Sequence, residues 1–330
     1  MYDVITVGSN TIDAFAYTDR SESICIKTID GEECYISYPT GSKLLIDELH
    51  FSTGGGGTNT AATFSKMGLS VGYVGKIGSD DNGRRVLQTL KDWKIDFVGA
   101  ISSDTQERTG YSIILDSIER RRTILAYKGV NNDLDFREID SQKLETKWFY
   151  LCSMVGKSFK ALEDIALFAR KKRINVLFNP SNYQAEKGEK YLAKILRSTK
   201  VLVLNKEEAA HLVGKGEPKE KLVKLRKTGP KIVIITDGKN PIHCVDENLY
   251  YIVYPMDIKV VEATGAGDSF GSGFLAAYIL TGEVGTSLKV GLANSQSVLK
   301  YKGAKSKILT FDEAKEYISK NEIILKKSKI

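Results

Sequence analysis

Ala263-Thr264-Gly265-Ala266-Gly267-Asp268-Ser269-Phe270 is the stretch whose reading decides the rest of this chain. It follows a β-rich run, Tyr250 to Val261, and opens a long apolar helix, about Ala266 to Leu280. Glycines and small residues ahead of a helix let the backbone come close to a ligand. The free amides of the first turn point at that ligand with the positive end of the helix dipole behind them, which suits a phosphate. Asp268 breaks the pattern by placing a carboxylate there. As a plain first-turn acid it would stabilise the helix by ~0.3–1 kcal/mol. Beside developing phosphate charge it needs a task, and the obvious one is to take a proton from an attacking hydroxyl. Gly265, Gly267 and Gly271 read G-x-G-x-x-x-G, one residue too long for the dinucleotide fingerprint, and no lysine follows as in a P-loop. A glycine-rich turn into a packed helix would give the same letters, so the rest of the chain has to decide.

A second glycine stretch stands two hundred residues earlier: Thr53-Gly54-Gly55-Gly56-Gly57-Thr58-Asn59-Thr60-Ala61-Ala62. Four consecutive glycines are entropically expensive, and these precede a helix, Thr58 to Met67, rather than a linker. A ligand lying against bare backbone explains them better than packing. Asn59, on the first turn, either donates to a substrate oxygen or simply caps.

The 330 residues suffice for one large α/β domain with an insertion, or for two domains. Hydrophobic residues at 42% and charged residues at 27% are those of an ordinary globular protein. The net charge of +7 is spread, with small clusters at Arg120–Arg122, in the 170s and at Lys326–Lys329. No basic run is interleaved with aromatics, which argues against nucleic acid as partner; the charge reads as solvated surface with a mild pull on anionic substrates. Cys25, Cys34, Cys152 and Cys244 form no C-x-x-C and fit reduced thiols of a cytoplasmic protein better than disulfides or a metal site. His50, His211 and His243 are isolated. No signal peptide and no membrane span is expected.

In order, Tyr2 to Val7 reads as a buried strand, followed by a polar strand-end loop, Gly8 to Asp13. Asp13 is either a turn residue or a hydroxyl-binding carboxylate. Ile24–Ile29, Glu33–Tyr38 and Lys43–Phe51 look like short strands, turning at Asp30-Gly31 and at Pro39-Thr40-Gly41. Val71 to Ile77 predicts a strand, and Asp80 to Trp93 an amphipathic helix. Thr109–Leu115 and Arg122–Lys128 predict a hairpin with Arg120–Arg122 at its turn, a solvated tip. Residues 14–51 and 105–127 together would form a β-sheet lid inserted into one domain spanning 1–330. From Trp148 on, strands and helices alternate: strands at Trp148–Cys152, Asn175–Phe178, Val201–Leu204 and Ile232–Ile235, helices at Phe159–Lys172 and Lys206–Val213. This predicts a parallel sheet covered on both faces, with polar residues at the strand ends. Asn205 and Glu208 read either as a cap with its dipole-compensating acid or as a holder of hydrated Mg²⁺. Helix Val284 to Tyr301 ends at Lys302-Gly303-Ala304, read as a glycine C-cap.

These residues resemble the ribokinase-like (PfkB) carbohydrate and nucleoside kinases over nearly the whole length. The matches are Gly54 to Asn59 and Ala263 to Asp268, with Gly129-Val130-Asn131, Asn205 to Glu208, Thr236-Asp237-Gly238 and Lys302-Gly303-Ala304 in the family's order. The resemblance implies a three-layer αβα sandwich with a mostly parallel sheet and a small β lid. It also implies transfer of the ATP γ-phosphoryl group to a sugar hydroxyl. Asp268 would be the base, and the amides of Gly265, Ala266 and Gly267 the anion hole. Asp13, Gly55, Gly56 and Asn59 would hold the sugar. Asn205 and Glu208 would organise Mg²⁺ and phosphates, and Thr236, Gly238 and Asn294 would border the nucleotide. The lid would close over the sugar and carry a homodimer contact. Three departures bear on this. Glu262 stands where the family usually has an aspartate, which speaks against K⁺ activation. Pro241 replaces a common nucleotide-loop glycine. Ser153-Met154-Val155 stands where ribose kinases carry a substrate glutamate. A free sugar or sugar derivative is the expected acceptor; a nucleoside or phosphorylated sugar is the alternative, and a catalytically silent sensor is the reading from another class.

Overall fold

Strand β1 (Tyr2–Val7) opens the chain and β2 (Thr11–Tyr17) follows at once. In the computed structural model, residues 1–19, 22–28, 31–116 and 122–330 are described. Next come β3 (Glu22–Thr28), β4 (Gly31–Ser37), β5 (Glu48–Gly54) and α1 (Gly56–Lys66). Then β6 (Val71–Val74), β7 (Lys76–Ile77), α2 (Asp81–Asp92), β8 (Asp96–Phe97), β9 (Ala100–Ile101), β10 (Gly110–Asp116) and β11 (Arg122–Tyr127) complete the first half. The second half alternates: β12 (Thr146–Cys152), α3 (Lys157–Lys172), β13 (Asn175–Asn179), a short α4 (Asn182–Ala185), α5 (Glu189–Leu196), β14 (Val201–Asn205), α6 (Lys206–Val213) and α7 (Pro218–Arg226). After β15 (Ile232–Asp237), β16 (Asn240–Val245) and β17 (Leu249–Val253) come α8 (Ala266–Thr281), α9 (Val284–Leu299), α10 (Phe311–Lys320) and β18 (Leu325–Lys329).

The central sheet has ten strands in the order β18-β17-β16-β15-β14-β13-β12-β1-β6-β8. Pairing is parallel from β8 to β15 and antiparallel from there to β18. Alternation along each strand sends side chains to opposite faces. In β12, Trp148, Tyr150 and Cys152 join α1, α2, α8 and α9 on one face, while Phe149 and Leu151 pack on the other against α3, α5, α6 and α7. The result is the αβα sandwich expected from the alternating pattern.

A separate four-stranded sheet, β11-β10-β2-β5, stands apart from the central one. It begins at Thr11, so Asp13 is a strand residue of this small sheet and not part of a loop at the end of β1. Strands β3 and β4 pair only with each other among the described residues. The Asp30 turn and the Arg120–Arg121 tip lie outside the described residues.

Several expectations are corrected. Cys25 and Cys34 sit opposite each other in the β3–β4 register and form a disulfide, where free thiols were expected. Cys152 and Cys244 are free and buried. The run Tyr250–Val261 is strand only to Val253: Pro255 has no amide to donate, Tyr254 N bonds Ile324 O, and Val261 N bonds Leu299 O. Val71–Ile77 splits at Gly75 into β6 and β7, because β7 pairs β9 instead of continuing the central sheet. Helix α9 ends at Leu299 with Lys300 right-handed at the cap, so Gly303, at φ +93°, shapes the following loop and does not cap the helix. No helix among the described residues is long and apolar enough to cross a membrane.

Candidate active site

The turn 263–268 places its groups as the glycine spacing suggests. Gly265 is the N-cap of α8 in the left-handed region (φ +79°), and a Cβ there would stand 2.5 Å from Ala304 Cβ. Both facts require glycine. Ser269 N closes the helix onto Gly265 O at 2.8 Å. Ala266 N already donates to Ala263 O at 3.3 Å, so Gly265 and Gly267 offer the freer amides for an anion. Around Gly267 a Cβ would meet nothing within 4 Å, which leaves its backbone open to a ligand.

Asp268 is half-buried in this turn. Its Oδ2 accepts from Asn59 Nδ2 at 2.9 Å. Burial raises its pKa above the ordinary aspartate value, opposed by the Asn59 hydrogen bond and by the Lys305 ammonium. The other oxygen, Oδ1, lies 3.4 Å from where a Cβ on Gly56 would stand. Cys152 also flanks Gly56, and burial pushes its thiol pKa well up, so it stays neutral beside Asp268.

The four-glycine run is explained by packing more than expected. A Cβ on Gly54 would collide with the Asp13 carboxylate, one on Gly57 would meet Tyr73 and Gly8, and Gly55, at φ +96°, lies against the Ser9–Asn10 backbone. Gly56 alone of the four lines the cleft that contains Asp268. Asp13 is buried and accepts from Thr11 Oγ1 at 2.9 Å. Desolvation raises its pKa, while hydrogen bonds from Thr11 and Ser112 and the charge of Lys305 oppose the rise. Neither Asp13 nor Asn59 lines that cleft; both stand immediately behind its wall.

The Asp268 cleft has a volume of about 760 Å³ and runs from Ser9, Gly56 and Asp268 past Ser153 and Met154 to Tyr183 and Lys187. Ser153-Met154-Val155, the departure from ribose kinases, thus lies in its wall. The loop after β1 that forms its floor is fixed by Asn131, which accepts from Asn10 N at 2.9 Å and donates to Asn10 O at 2.7 Å. On the other side of the same turn, an apolar cleft of about 370 Å³ is lined by Ala263, Ala266, Gly267, Phe270, Met256 and Leu292. Thr236 and Gly238 line it too, and they border a further 650 Å³ hollow with Asn205 and Lys206.

The remaining expected residues are held differently. Asn205 caps α6 by accepting from Glu208 N at 2.8 Å, and Glu208 Oε2 accepts from Asn205 N at 2.8 Å. This reciprocal pair is a capping box. Burial raises the Glu208 pKa to about 7. Mg²⁺ demands near-octahedral oxygen coordination. With most of their oxygens engaged and no cluster of three ligating side chains among the described residues, these groups suit a hydrated ion carried on phosphates and do not form a protein cage. Asn294 is fully buried and spends its amide on Ser269 O at 2.9 Å and Leu309 N at 3.0 Å; its neighbours Ser295 and Gln296 line the apolar cleft in its place.

Sequence reasoning missed Lys305, whose Nζ donates to the Thr53 carbonyl and, at 3.0 Å, to Thr53 Oγ1. It also missed Tyr73, whose hydroxyl joins Asn10 to Gly8 O. Nothing in the local sequence distinguishes Lys305 among 48 basic residues; only its place directly after the Gly303-Ala304 match hints at it.

A model of the family described as pfkB family carbohydrate kinase matches residues 3–310. A ribokinase of Haemophilus influenzae is 25% identical over 292 residues, covering 86% of this chain and 92% of its own. An uncharacterized sugar kinase of Archaeoglobus fulgidus is 29% identical over 225 residues, covering 65% of this chain and 85% of its own. Among solved structures, Arabidopsis thaliana ribokinase complexed with ribose and ATP superposes with a TM-score of 0.76 at 19% identity, over 96% of this chain and 98% of that one. With a family match over almost the entire chain and the same fold in a solved relative, this protein belongs to the pfkB family of carbohydrate kinases.

Proposed function

We propose that the protein transfers the γ-phosphoryl group of ATP to a hydroxyl of a sugar or sugar derivative. One observation carries this reading: a single helix-start turn separates two clefts. Asp268 lines the larger one, while Ala263, Ala266 and Gly267 line the smaller, apolar one. An acceptor in the first and a nucleotide in the second would meet across the Gly265–Gly267 amides.

In this reading Asp268 receives the acceptor's proton on Oδ1, since Asn59 fixes Oδ2. The amides of Gly265 and Gly267, with Ala266 between them, stabilise charge on the phosphoryl oxygens. Thr236 and Gly238 border the nucleotide, and Asn205 and Glu208 hold the α6 start against its phosphates with Mg²⁺. Mg²⁺ would supply charge neutralisation between the phosphates. Gly56 forms the bare-backbone wall of the acceptor site, with Gly55 and Asp13 behind it. The small sheet acts as a lid that excludes water, a competing acceptor. It also carries the surface through which two copies pair.

The acceptor cleft exceeds what a single sugar ring fills, and Lys128 and Lys187 stand on its wall. These two features favour a phosphorylated sugar or a nucleoside as the second reading. Mg-ATP with a panel of sugars, sugar phosphates and nucleosides, followed by ADP release, tests both. ADP release with one class and not the others assigns the acceptor. Tight ATP binding without ADP release on any member would replace the kinase reading by a sensor.

A further inference from the structure

The insertion between β2 and β5 carries a hairpin that belongs to neither of the two large sheets. Strands β3 and β4, 7 residues each, pair with each other and with no other strand among the described residues. A lone two-stranded hairpin is at best marginally stable in water. Burial adds little to this one: Ile24, Ile26 and Tyr35, neighbours on one face of the register, are all half-exposed. The strongest tie is covalent. Cys25 and Cys34 stand opposite each other with Cα atoms 4.0 Å apart, the close approach of a non-hydrogen-bonded pair, and their sulfurs are joined. The root of the insertion is closed separately. Asp47 N donates to Tyr17 O, Thr18 Oγ1 to Leu45 O and Asp19 N to Asp47 Oδ2, each at 2.9 Å.

We propose that the Cys25–Cys34 pair is a reversible thiol–disulfide switch that sets the order of the β3–β4 hairpin. Oxidised, the hairpin is folded; reduced, it is mostly unfolded, while β2 and β5 stay in the small sheet. The chain has a full hydrophobic core, so this bond is not of the kind that small secreted domains need in place of one. Exposed disulfides are the labile, regulatory ones. Cys25 is exposed and Cys34 half-buried, so an external thiolate reaches the Cys25 sulfur first. With a dithiol as reductant, one of its thiolates attacks Cys25 Sγ and breaks the bond to Cys34 Sγ, which leaves as a thiolate and takes a proton. The second thiolate of the reductant then displaces Cys25, and the reductant carries away the disulfide. Two electrons pass to the protein and two thiols result. The other cysteines stay out of this exchange: Cys152 and Cys244 are buried, and burial pushes both thiol pKa values well up. The two partners are 9 positions apart, and closing a loop of that size shifts the folding equilibrium of the hairpin by roughly a hundredfold. Oxidation runs back along the same path, because each return of the register sets the two thiols opposite each other. The three hydrogen bonds at the root confine the change to the hairpin.

Hydrogen–deuterium exchange of the full-length protein, read by mass spectrometry with and without dithiothreitol, tests this. In the oxidised protein the hydrogen-bonded amides of residues 22–28 and 31–37 are expected to be protected. With reductant they should exchange faster by up to roughly a hundredfold, while those of β2 and β5 keep their rates. Removing the reductant and adding oxidised glutathione should restore protection. The double variant Cys25→Ser/Cys34→Ser should match the reduced protein with no reductant present, which separates loss of the bond from any other action of the reagent. Hairpin protection that reduction leaves unchanged overturns the proposal. So does a bond that does not re-form, or faster exchange that spreads into β2 and β5. No arm needs ATP or an acceptor, so the outcome stands apart from the kinase reading.

Discussion

Asn59 Nδ2 donates to Asp268 Oδ2 at 2.9 Å across 209 residues of sequence, joining the two glycine-led helix starts of the chain. The helix that follows the four glycines therefore orients the carboxylate at the head of α8. Asn59 serves the base directly, and any contact it makes with an acceptor falls to its oxygen, which has no partner among the described residues.

The first prediction is loss of the base. Asp268→Asn keeps the shape of the turn and can still meet Asn59, so fold and ATP affinity should persist. kcat should fall by roughly 10²–10⁴-fold, the usual worth of a placed general base. Steady-state kinetics on an acceptor found by ADP release checks this; a variant within tenfold of the native enzyme removes Asp268 from the role.

The second prediction concerns pH. Asp268 must be ionised to accept a proton, and burial raises its pKa above 3.8. Activity should therefore be lost as pH falls, through a midpoint higher than that of an ordinary aspartate. The Asn59 hydrogen bond favours the charged form. Asn59→Ala should move the acid limb upward by about one pH unit, the equivalent of a lost hydrogen bond to a charged group. A pH–kcat profile reads the shift, and an unmoved limb would separate Asn59 from the base.

Much of this site was legible before any coordinates, and the reason is local. The head of α8 and the start of α6 are helix N-termini, whose cap geometry is written in adjacent residues, so Gly265, Asp268, Asn205 and Glu208 fell where their spacing put them. The alternating second half gave the parallel sheet for the same reason. What escaped depends on long-range contact. Gly54 and Gly57 are small because Asp13 and Tyr73 pack on them, and Cys25 meets Cys34 because a hairpin register places them opposite. Lys305 reaches Thr53 because a loop near the end of the chain folds back onto β5. No window of sequence contains those pairs.

The third prediction concerns Asp13. It stands behind the Gly54 backbone, held by Thr11 and Ser112. Removing it frees the Gly54 backbone, two residues before Gly56 on the acceptor side. Asp13→Ala should lower kcat/KM for the acceptor by roughly ten- to a hundredfold, while ATP affinity barely changes. Collapse of ATP binding with the acceptor still bound would place Asp13 on the wrong side of the reaction.

The fourth prediction is association through the small sheet. Phe51, Ala14, Ile113 and Leu125 stand directly opposite one another in the registers of β5, β2, β10 and β11. Opposed residues share a face, so they form one apolar row across all four strands. Phe51 is 47%, Ile113 39% and Leu125 53% exposed, and Leu49 continues the same face at 55%. A contiguous apolar patch of this kind marks an interaction site. A second copy of the chain is its simplest cover, because a two-fold axis sets each patch against itself and every side chain counts twice. Burying one such side chain contributes ~1.5–3 kcal/mol, so a single Phe51→Glu should weaken the dimer by roughly a hundredfold or more. Sedimentation at micromolar concentration should show the native chain at twice 36.5 kDa and Phe51→Glu or Leu125→Glu at the monomer mass. A native chain that sediments as a monomer refutes the pairing, and a Phe51→Glu variant that stays dimeric moves the interface off this sheet.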